Sequence, residues 1–129
     1  MRQLCSVAVV ALLVGVSGCG PAQPTTVGGR SVAYWVQALQ GPDMKARKKA
    51  AFQLGNVGAA EPAAVPALAG ALRDPDAAVR AEAALSLLKI GPAAREALPA
   101  LTEAQKDRDA KVRAYAARAV EKIQGGQPR

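Results

Sequence analysis

Few side chains in this sequence could carry covalent or metal chemistry. The chain has no histidine, so the commonest general base, proton shuttle and metal ligand is absent. Beyond an N-terminal leader described below, the only serines are Ser31 and Ser86, and neither has a visible base partner. No cysteine or histidine cluster has the spacing of a metal site. The sequence therefore predicts a non-enzymatic protein that holds neither a metal nor a cofactor.

Carboxylates are the remaining groups that could catalyse a reaction. Paired-acid catalysis stays open, because two carboxyl groups brought together by folding would suffice for it. Solvated helix surfaces explain the glutamates better, since glutamate is rarely buried. The glutamates beyond the leader are Glu61, Glu82, Glu96, Glu103 and Glu121.

A 33-residue period organises the chain from residue 43 onward. Charged residues and alanine pairs recur at this distance, and each copy is too short to bury its own apolar side chains. Such self-similarity predicts helical hairpins stacked on one shared core. The recurring residues are Asp43, Asp76 and Asp109; Arg47, Arg80 and Arg113; and the alanine pairs at 50–51, 83–84 and 116–117.

Within each copy the apolar residues follow one face of a helix, with successive spacings of four, one, three and three. We expect this stripe to face the core. It comprises Ala46, Ala50, Ala51, Leu54 and Val57; Val79, Ala83, Ala84, Leu87 and Ile90; and Val112, Ala116, Ala117, Val120 and Ile123.

The start and stop residues predict six helices that pair into three hairpins. An aspartate precedes each long helix, where it can cap the helix or offset its dipole. Gly58 and Gly91 follow two of them, where a left-handed residue commonly ends a helix. Tyr34 and Trp35 are expected to cover the N-terminal end of the stack. The predicted helices lie near 31–40, 44–57, 63–73, 77–90, 94–105 and 110–123.

This layout resembles the HEAT repeat, in particular the short bacterial variety also seen in phycobilisome-lyase-like proteins. The residues that carry the resemblance are Asp74–Arg80, Ala83–Leu85 and Ala97–Leu101. It implies an all-α fold, a short right-handed α-solenoid of about three hairpins over residues 31–124. It also implies a structural ladder, in which the recurring aspartates pair with arginines between neighbouring hairpins. The ladder residues would be Asp43, Asp76, Asp109, Arg47, Arg80 and Arg113.

The N-terminus has the pattern of an export signal. Arg2 precedes an apolar run over residues 7–16, which is shorter than the roughly 20 residues that span a bilayer. Residues 16–19, Val-Ser-Gly-Cys, look like the lipobox of bacterial lipoproteins. That resemblance implies cleavage after residue 18 and lipidation of Cys19. An ordinary signal peptide that happens to end in a cysteine is the alternative.

The predicted organisation follows from this signal. A signal peptide occupies residues 1–18, a flexible tether rich in proline, glycine and threonine runs from 19 to 30, and a disordered tail covers 125–129. Stable anchoring takes more than one alkyl chain, which a lipoprotein cysteine supplies. Gly20 after the cysteine resembles the outer-membrane sorting pattern, if the cell has two membranes. We therefore expect an exported protein, lipid-anchored to the cell envelope.

Positive charge is the remaining functional signal. Loss of Arg2 with the leader leaves sixteen basic residues against ten acidic ones, a net charge of +6. Anionic lipid headgroups or acidic envelope proteins suit an exported protein better than nucleic acid does, and aromatic residues that could stack bases are scarce. An ordinary solvated surface also accounts for such a charge. The candidate basic surface comprises Lys45, Arg47, Lys48, Lys49, Lys111 and Arg118.

These observations favour an adaptor that binds an unidentified envelope protein. Two other functions stay open. The resemblance implies a tetrapyrrole (bilin) lyase-like protein as one alternative, and peripheral binding of anionic lipid or nucleic acid is the other. Export argues against both the lyase and the nucleic-acid alternatives.

Overall fold

A computed structural model describes residues 24–125, and α-helices make up most of this range. They pair into three hairpins, α1–α2, α3–α4 and α5–α6, so the all-α solenoid is confirmed. The predicted signal peptide, Cys19 and the last four residues of the chain lie outside the described residues. The helices are α1 (Val32–Ala38), α2 (Met44–Val57), α3 (Ala64–Ala71), α4 (Ala77–Ile90), α5 (Leu98–Ala104) and α6 (Ala110–Gly125), and a 3-10 helix (Gly91–Ala97) joins α4 to α5.

The long helices α2, α4 and α6 pack side by side in one layer, and the short helices α1, α3 and α5 form the other. Small residues let the long helices approach closely. A Cβ atom placed on Gly55 of α2 would lie 2.6 Å from the Cβ atom of Ser86 in α4. The Ser86 hydroxyl is fully buried and donates a hydrogen bond to the Ala51 carbonyl oxygen at 2.8 Å. Ser86 therefore holds two helices together.

One continuous apolar core runs through the three hairpins. Two alanines of the predicted stripe are exposed instead of buried. Ala46 lies in the first turn of α2, in the first helical hairpin of the stack, which has no other helical hairpin before it within residues 24–125. Ala117 occupies the position of Ala51 and Ala84, which are buried against the next hairpin. Because no fourth hairpin follows among the described residues, Ala117 faces solvent.

The two glycines that follow α2 and α4 have different roles. Gly91 has a positive φ of 69°, which favours glycine, but its ψ of −138° lies outside the left-handed helical region, so the prediction is correct there only in the sign of φ. Gly58 has a φ of −59° and continues the helical conformation, so the prediction is wrong there. A Cβ atom on Gly58 would collide with Cδ1 of Ile90. Residue 58 is therefore glycine because α4 packs closely against it.

Each of the short helices α1, α3 and α5 begins later and ends earlier than the sequence predicted. Pro66 is the third residue of α3 and Pro99 is the second residue of α5. A proline deeper in a helix is destabilising, because its ring clashes with the carbonyl group four residues earlier and it lacks the amide hydrogen. The stretch predicted to begin one helix at residue 94 is therefore 3-10 helix up to Ala97, and Ala94 is non-helical with φ −92° and ψ 20°.

A small β-hairpin precedes α1. Strands β1 (Thr26–Val27) and β2 (Arg30–Ser31) are antiparallel, and Gly28 and Gly29 supply the two positive φ values that a tight two-residue turn requires. The buried Trp35 side chain donates from Nε1 to the Val27 carbonyl oxygen at 2.8 Å. The folded domain therefore begins at this hairpin instead of at residue 31, and the hairpin takes up the last residues of the predicted tether.

Candidate protein-binding surface and arginine ladder

The recurring aspartates cap the long helices. A carboxylate oxygen of Asp43 accepts from the Ala46 amide at 3.0 Å, and one of Asp76 accepts from the Ala78 amide at 2.7 Å. Asp109 does the same for the first turn of α6. The predicted capping role is confirmed. These carboxylates bind the amides of their own helices.

The arginine ladder runs through a different pair of aspartates. Arg47 donates from Nε and Nη2 to both carboxylate oxygens of Asp74, at 2.8 and 3.2 Å. Arg80 binds Asp107 in the same way, at 2.9 and 3.1 Å. The predicted pairing through Asp43, Asp76 and Asp109 is corrected accordingly. Asp74 and Asp107 are also 33 residues apart. They recur only twice, because residue 41, which lies 33 residues before Asp74, is glycine.

Backbone oxygens fix each guanidinium group of the ladder. Nη1 of Arg80 donates to the carbonyl oxygens of Asp74 and Pro75 at 2.8 and 3.2 Å. Arg47 and Arg113 make the equivalent pair of bonds to the turns before their own helices. Within residues 24–125 no carboxylate forms an ion pair with Arg113.

The ladder perturbs two ionisable groups. Burial by itself raises the pKa of the Asp107 carboxyl, but hydrogen bonds from the Asp109 amide and the Arg80 guanidinium outweigh it, so this pKa lies below its ordinary value. The hydrogen bond to Asp74 raises the pKa of Arg47 further above neutrality. Both groups stay charged at neutral pH, which suits a structural ion pair and not proton transfer.

The predicted basic residues divide between the ladder and one exposed surface. The side chain of Arg47 is only 14% exposed and belongs to the ladder, so it leaves the candidate basic surface. Lys45, Lys48 and Lys49 are exposed on α2, and Lys111 and Arg118 are exposed on α6. Helical spacing puts Arg118 on the same side of α6 as Lys111. We call the solvent side of the long-helix layer the α2/α4/α6 face.

A groove of about 510 Å³ on this face brings residues of all three long helices together. Lys48 comes from α2, Glu82 and Leu85 come from α4, and Lys111 and Tyr115 come from α6. The structure thus unites Lys48 and Lys111, which lie 63 residues apart in the sequence. Leu85 and Tyr115 are partly buried and add apolar surface between the charges.

A second depression, of about 320 Å³, adjoins this groove. It shares Lys48 and Glu82 with the groove and adds Lys45, Lys49 and Phe52. The Phe52 ring is 42% exposed, and Nζ of Lys89 lies 4.6 Å from its centroid. Phe52 was not among the residues predicted from the sequence, although a large aromatic residue on the charged side of an amphipathic helix was a signal for it. The face therefore combines cations with exposed apolar side chains.

The part of the chain that the structure describes has neither a metal-binding cluster nor a membrane-spanning helix. No cluster of acidic, cysteine or histidine side chains there could hold a metal ion. Over the same residues, no helix has the length and apolar character needed to cross a bilayer.

Comparisons with known proteins agree with the architecture. The family model for HEAT repeats matches residues 32–125. The crystal structure of an engineered protein is similar at 26% identity and a TM-score of 0.63, over 74% of this chain and 46% of that one. The complex of CpcE and CpcF of phycocyanin lyase from Nostoc sp. PCC7120 is similar at 30% identity and a TM-score of 0.66, over 83% and 42% respectively.

Both solved structures are longer than this protein, which spans less than half of each. The search of curated proteins found no match. The family model, by contrast, covers most of the chain and coincides with the helices from the start of α1 to the end of α6. The protein therefore belongs to the HEAT-repeat family.

Proposed function

We propose that the protein is a non-enzymatic adaptor, lipid-anchored in the cell envelope, that binds an acidic segment of another envelope protein on its α2/α4/α6 face. The observation that carries the proposal is the groove in which Lys48 and Lys111 flank Leu85 and Tyr115. Cations beside apolar side chains suit a protein segment, because apolar contacts supply affinity while charges steer and orient the partner.

The chemistry of this face favours an acidic protein over a catalytic substrate. Its cations are mainly lysines with unbranched, exposed side chains, which attract negative charge without a fixed geometry. Glu82 and Asp109 both line the groove, but Asp109 already accepts hydrogen bonds from the amides of Lys111 and Val112 as the cap of α6, which favours a structural role for it over paired-acid catalysis. The groove is open and shallow, whereas catalytic pockets usually enclose most of a small ligand.

Charge reversal tests the binding surface. The test variant carries three substitutions on α2: Lys45→Glu, Lys48→Glu and Lys49→Glu. Its control changes the net charge equally at exposed residues outside both depressions, with Arg73→Glu, Arg95→Glu and Lys106→Glu. Crosslinking in intact cells followed by mass spectrometry should recover a partner with the unaltered protein and the control, and lose it with the first variant. Equal recovery from all three would refute the role of this face.

The anchor rests on the lipobox-like residues 16–19 and has its own test. We expect Cys19→Ala to move the protein from the membrane fraction to the soluble envelope fraction. Cys5→Ala, which changes the other cysteine of the chain, should leave it in the membrane fraction. Firm membrane association of Cys19→Ala would remove the anchor from the proposal and leave the binding face untouched.

A second candidate function is action on a tetrapyrrole. The observation that favours it is the 30% identity with the complex of CpcE and CpcF of phycocyanin lyase. Titration with a bilin tests it, because a bound tetrapyrrole changes its visible absorbance. A saturable change that Tyr115→Ala weakens would favour this function over the adaptor, and an unchanged spectrum would exclude it.

A further inference from the structure

The outward side of α6 resembles surfaces that are buried elsewhere in the stack. Ala117 and Glu121 occupy the positions of Ala84 and Leu88 in α4, and Ala84 is fully buried against the next hairpin. On α6 this side is exposed at Ala117 and Glu121 and half-buried at Val120. We call it the α6 end face and define it by Arg113, Ala114, Ala117, Val120, Glu121 and Gln124.

Arg113 makes this end face a preformed receptor for a carboxylate. Its Nη1 donates to the carbonyl oxygens of Asp107 and Arg108 at 2.7 and 3.0 Å, which fixes the guanidinium as in Arg47 and Arg80. In those two residues the remaining Nε and Nη2 bind both oxygens of one aspartate of the next hairpin. Among the residues in the structure, Arg113 has no such carboxylate.

The N-terminal end of a second copy does not fit this receptor. Gly41 stands there in place of Asp74 and Asp107, so that end lacks the ladder carboxylate. The β-hairpin also covers it, because a Cβ atom on Gly28 would lie 2.9 Å from Nε2 of Gln53. Gln53 occupies the position at which Ser86 of α4 meets the preceding hairpin. Head-to-tail stacking of copies is therefore disfavoured.

The α6 end face is instead complementary to itself. Arg113 and Glu121 lie four residues to either side of Ala117 on one side of the helix. When two such helices cross antiparallel about a two-fold axis at Ala117, each arginine faces the other helix's glutamate. The Cα atoms of each pair then lie about 6 Å from the crossing point along the helix axes, a separation that the long side chains of arginine and glutamate can bridge. The methyl side chains of Ala114 and Ala117 allow close approach.

We propose that two copies of the chain associate through their α6 end faces about a two-fold axis near Ala117, and that Arg113 of each copy binds Glu121 of the second copy. The contact is isologous, so it closes and forms no fibre. It leaves the α2/α4/α6 face open and does not depend on the proposed function.

The expected dimer is weak. One helix from each copy buries less than the roughly 1,200 Å² at which stable interfaces begin. We therefore expect a dissociation constant on the order of 10 μM, which weakens further as salt screens the two exposed ion pairs.

The test is sedimentation equilibrium of the chain from Gly20 to Arg129, which contains the whole described structure, at concentrations on either side of about 10 μM. Arg113→Glu and Glu121→Arg should each be monomeric, because each places two like-charged pairs in the homodimer. An equimolar mixture of the two variants should dimerise, because the mixed dimer restores both opposite-charge pairs. Monomeric unaltered protein, or single variants that still dimerise, would overturn the proposal, as would a mixture that stays monomeric.

Folding and general charge effects are controlled separately. Glu121→Arg changes an exposed side chain and should keep the helical circular dichroism of the unaltered protein. It therefore keeps the proposal testable even if Arg113→Glu weakens the fold. Arg118→Glu and Glu96→Arg make the same charge changes outside the α6 end face and should leave the dimer intact. Loss of the dimer in these controls would show that net charge, and not the Arg113–Glu121 contact, governs association.

Discussion

Arg80 and Asp107 form a two-bond ion pair that joins α4 to the hairpin after it, with Nε 2.9 Å from Oδ2 and Nη2 3.1 Å from Oδ1. Both side chains are largely buried, with 6% and 12% of their surface exposed. The same arginine donates to two backbone oxygens, so it connects its own hairpin turn to the next one. Each repeat of such a stack contacts only its neighbours, so this connection opposes the separation of one hairpin from the next.

Removal of one partner of this pair should destabilise the protein strongly. Asp107→Ala leaves the buried guanidinium of Arg80 without its carboxylate, and we expect a loss of about 3 kcal/mol in the free energy of unfolding. Urea denaturation followed by circular dichroism measures it. The exposed carboxylate of Glu103 gives the control, because Glu103→Ala should change stability by less than about 0.5 kcal/mol. Equal effects would show that the ion pair contributes nothing.

Acid should weaken the ladder through Asp107. Its pKa is lower in the folded protein than in an unfolded chain, where the pKa of an aspartate is about 3.9. As the pH falls past the pKa of the unfolded chain, the unfolded state therefore binds more protons than the folded state does. The stabilisation by the Asp107 carboxylate, which is fully present above the unfolded-chain pKa, is lost as the pH falls through the folded-state pKa. The unfolding free energy should decline less between about pH 5 and pH 3 in Asp107→Asn than in the unaltered protein. Parallel declines would contradict the assignment.

Two glycine substitutions should have opposite effects. In Gly55→Ala the new methyl group meets Ser86 and forces α2 and α4 apart, which should cost about 1 to 3 kcal/mol despite the better helix propensity of alanine. In Gly70→Ala nothing lies within 4 Å of the new Cβ atom, so the helix gains up to about 1 kcal/mol. Thermal unfolding distinguishes the two, since the melting temperature should fall for the first and rise for the second.

The β-hairpin should loosen when Trp35 loses its hydrogen bond. Trp35→Phe keeps an aromatic ring but removes the donor to the Val27 carbonyl oxygen. We expect faster amide hydrogen exchange at Val32, whose amide donates to Thr25, and unchanged exchange at the centre of α4. Tyr34→Phe is the matched control, because Tyr34 is exposed. Unchanged exchange at Val32 in Trp35→Phe would show that other contacts hold the hairpin.

The long helices were predictable because local signals agree there. Asp43 and Asp76 cap α2 and α4, the apolar residues follow one face, and both helices have the predicted bounds. Prediction was poorer for α5, because the sequence pattern did not reveal how far before Pro99 the helix extends. The 3-10 segment follows from the position of that proline together with packing against α6.

The candidate site was predictable only in part. Helical spacing identified Lys45, Lys48 and Lys49 as an exposed cluster, because residues three and four apart share one side of a helix. The same spacing could not reveal that Arg47, between them, turns to the next hairpin and binds Asp74. Nor could it place Lys111 beside Lys48, because that proximity depends on how closely the long helices pack.

The sequence alone determined the period, the helices and their capping aspartates, since each depends on contacts within a few residues. Tertiary structure decided which carboxylate each arginine binds, because Asp74 and Asp107 come within reach only when neighbouring hairpins stack. It also decided that Gly58 provides space for Ile90 and that the residues before α1 form a hairpin under Trp35. These outcomes depend on distances between elements, and a linear pattern of residue types does not contain those distances.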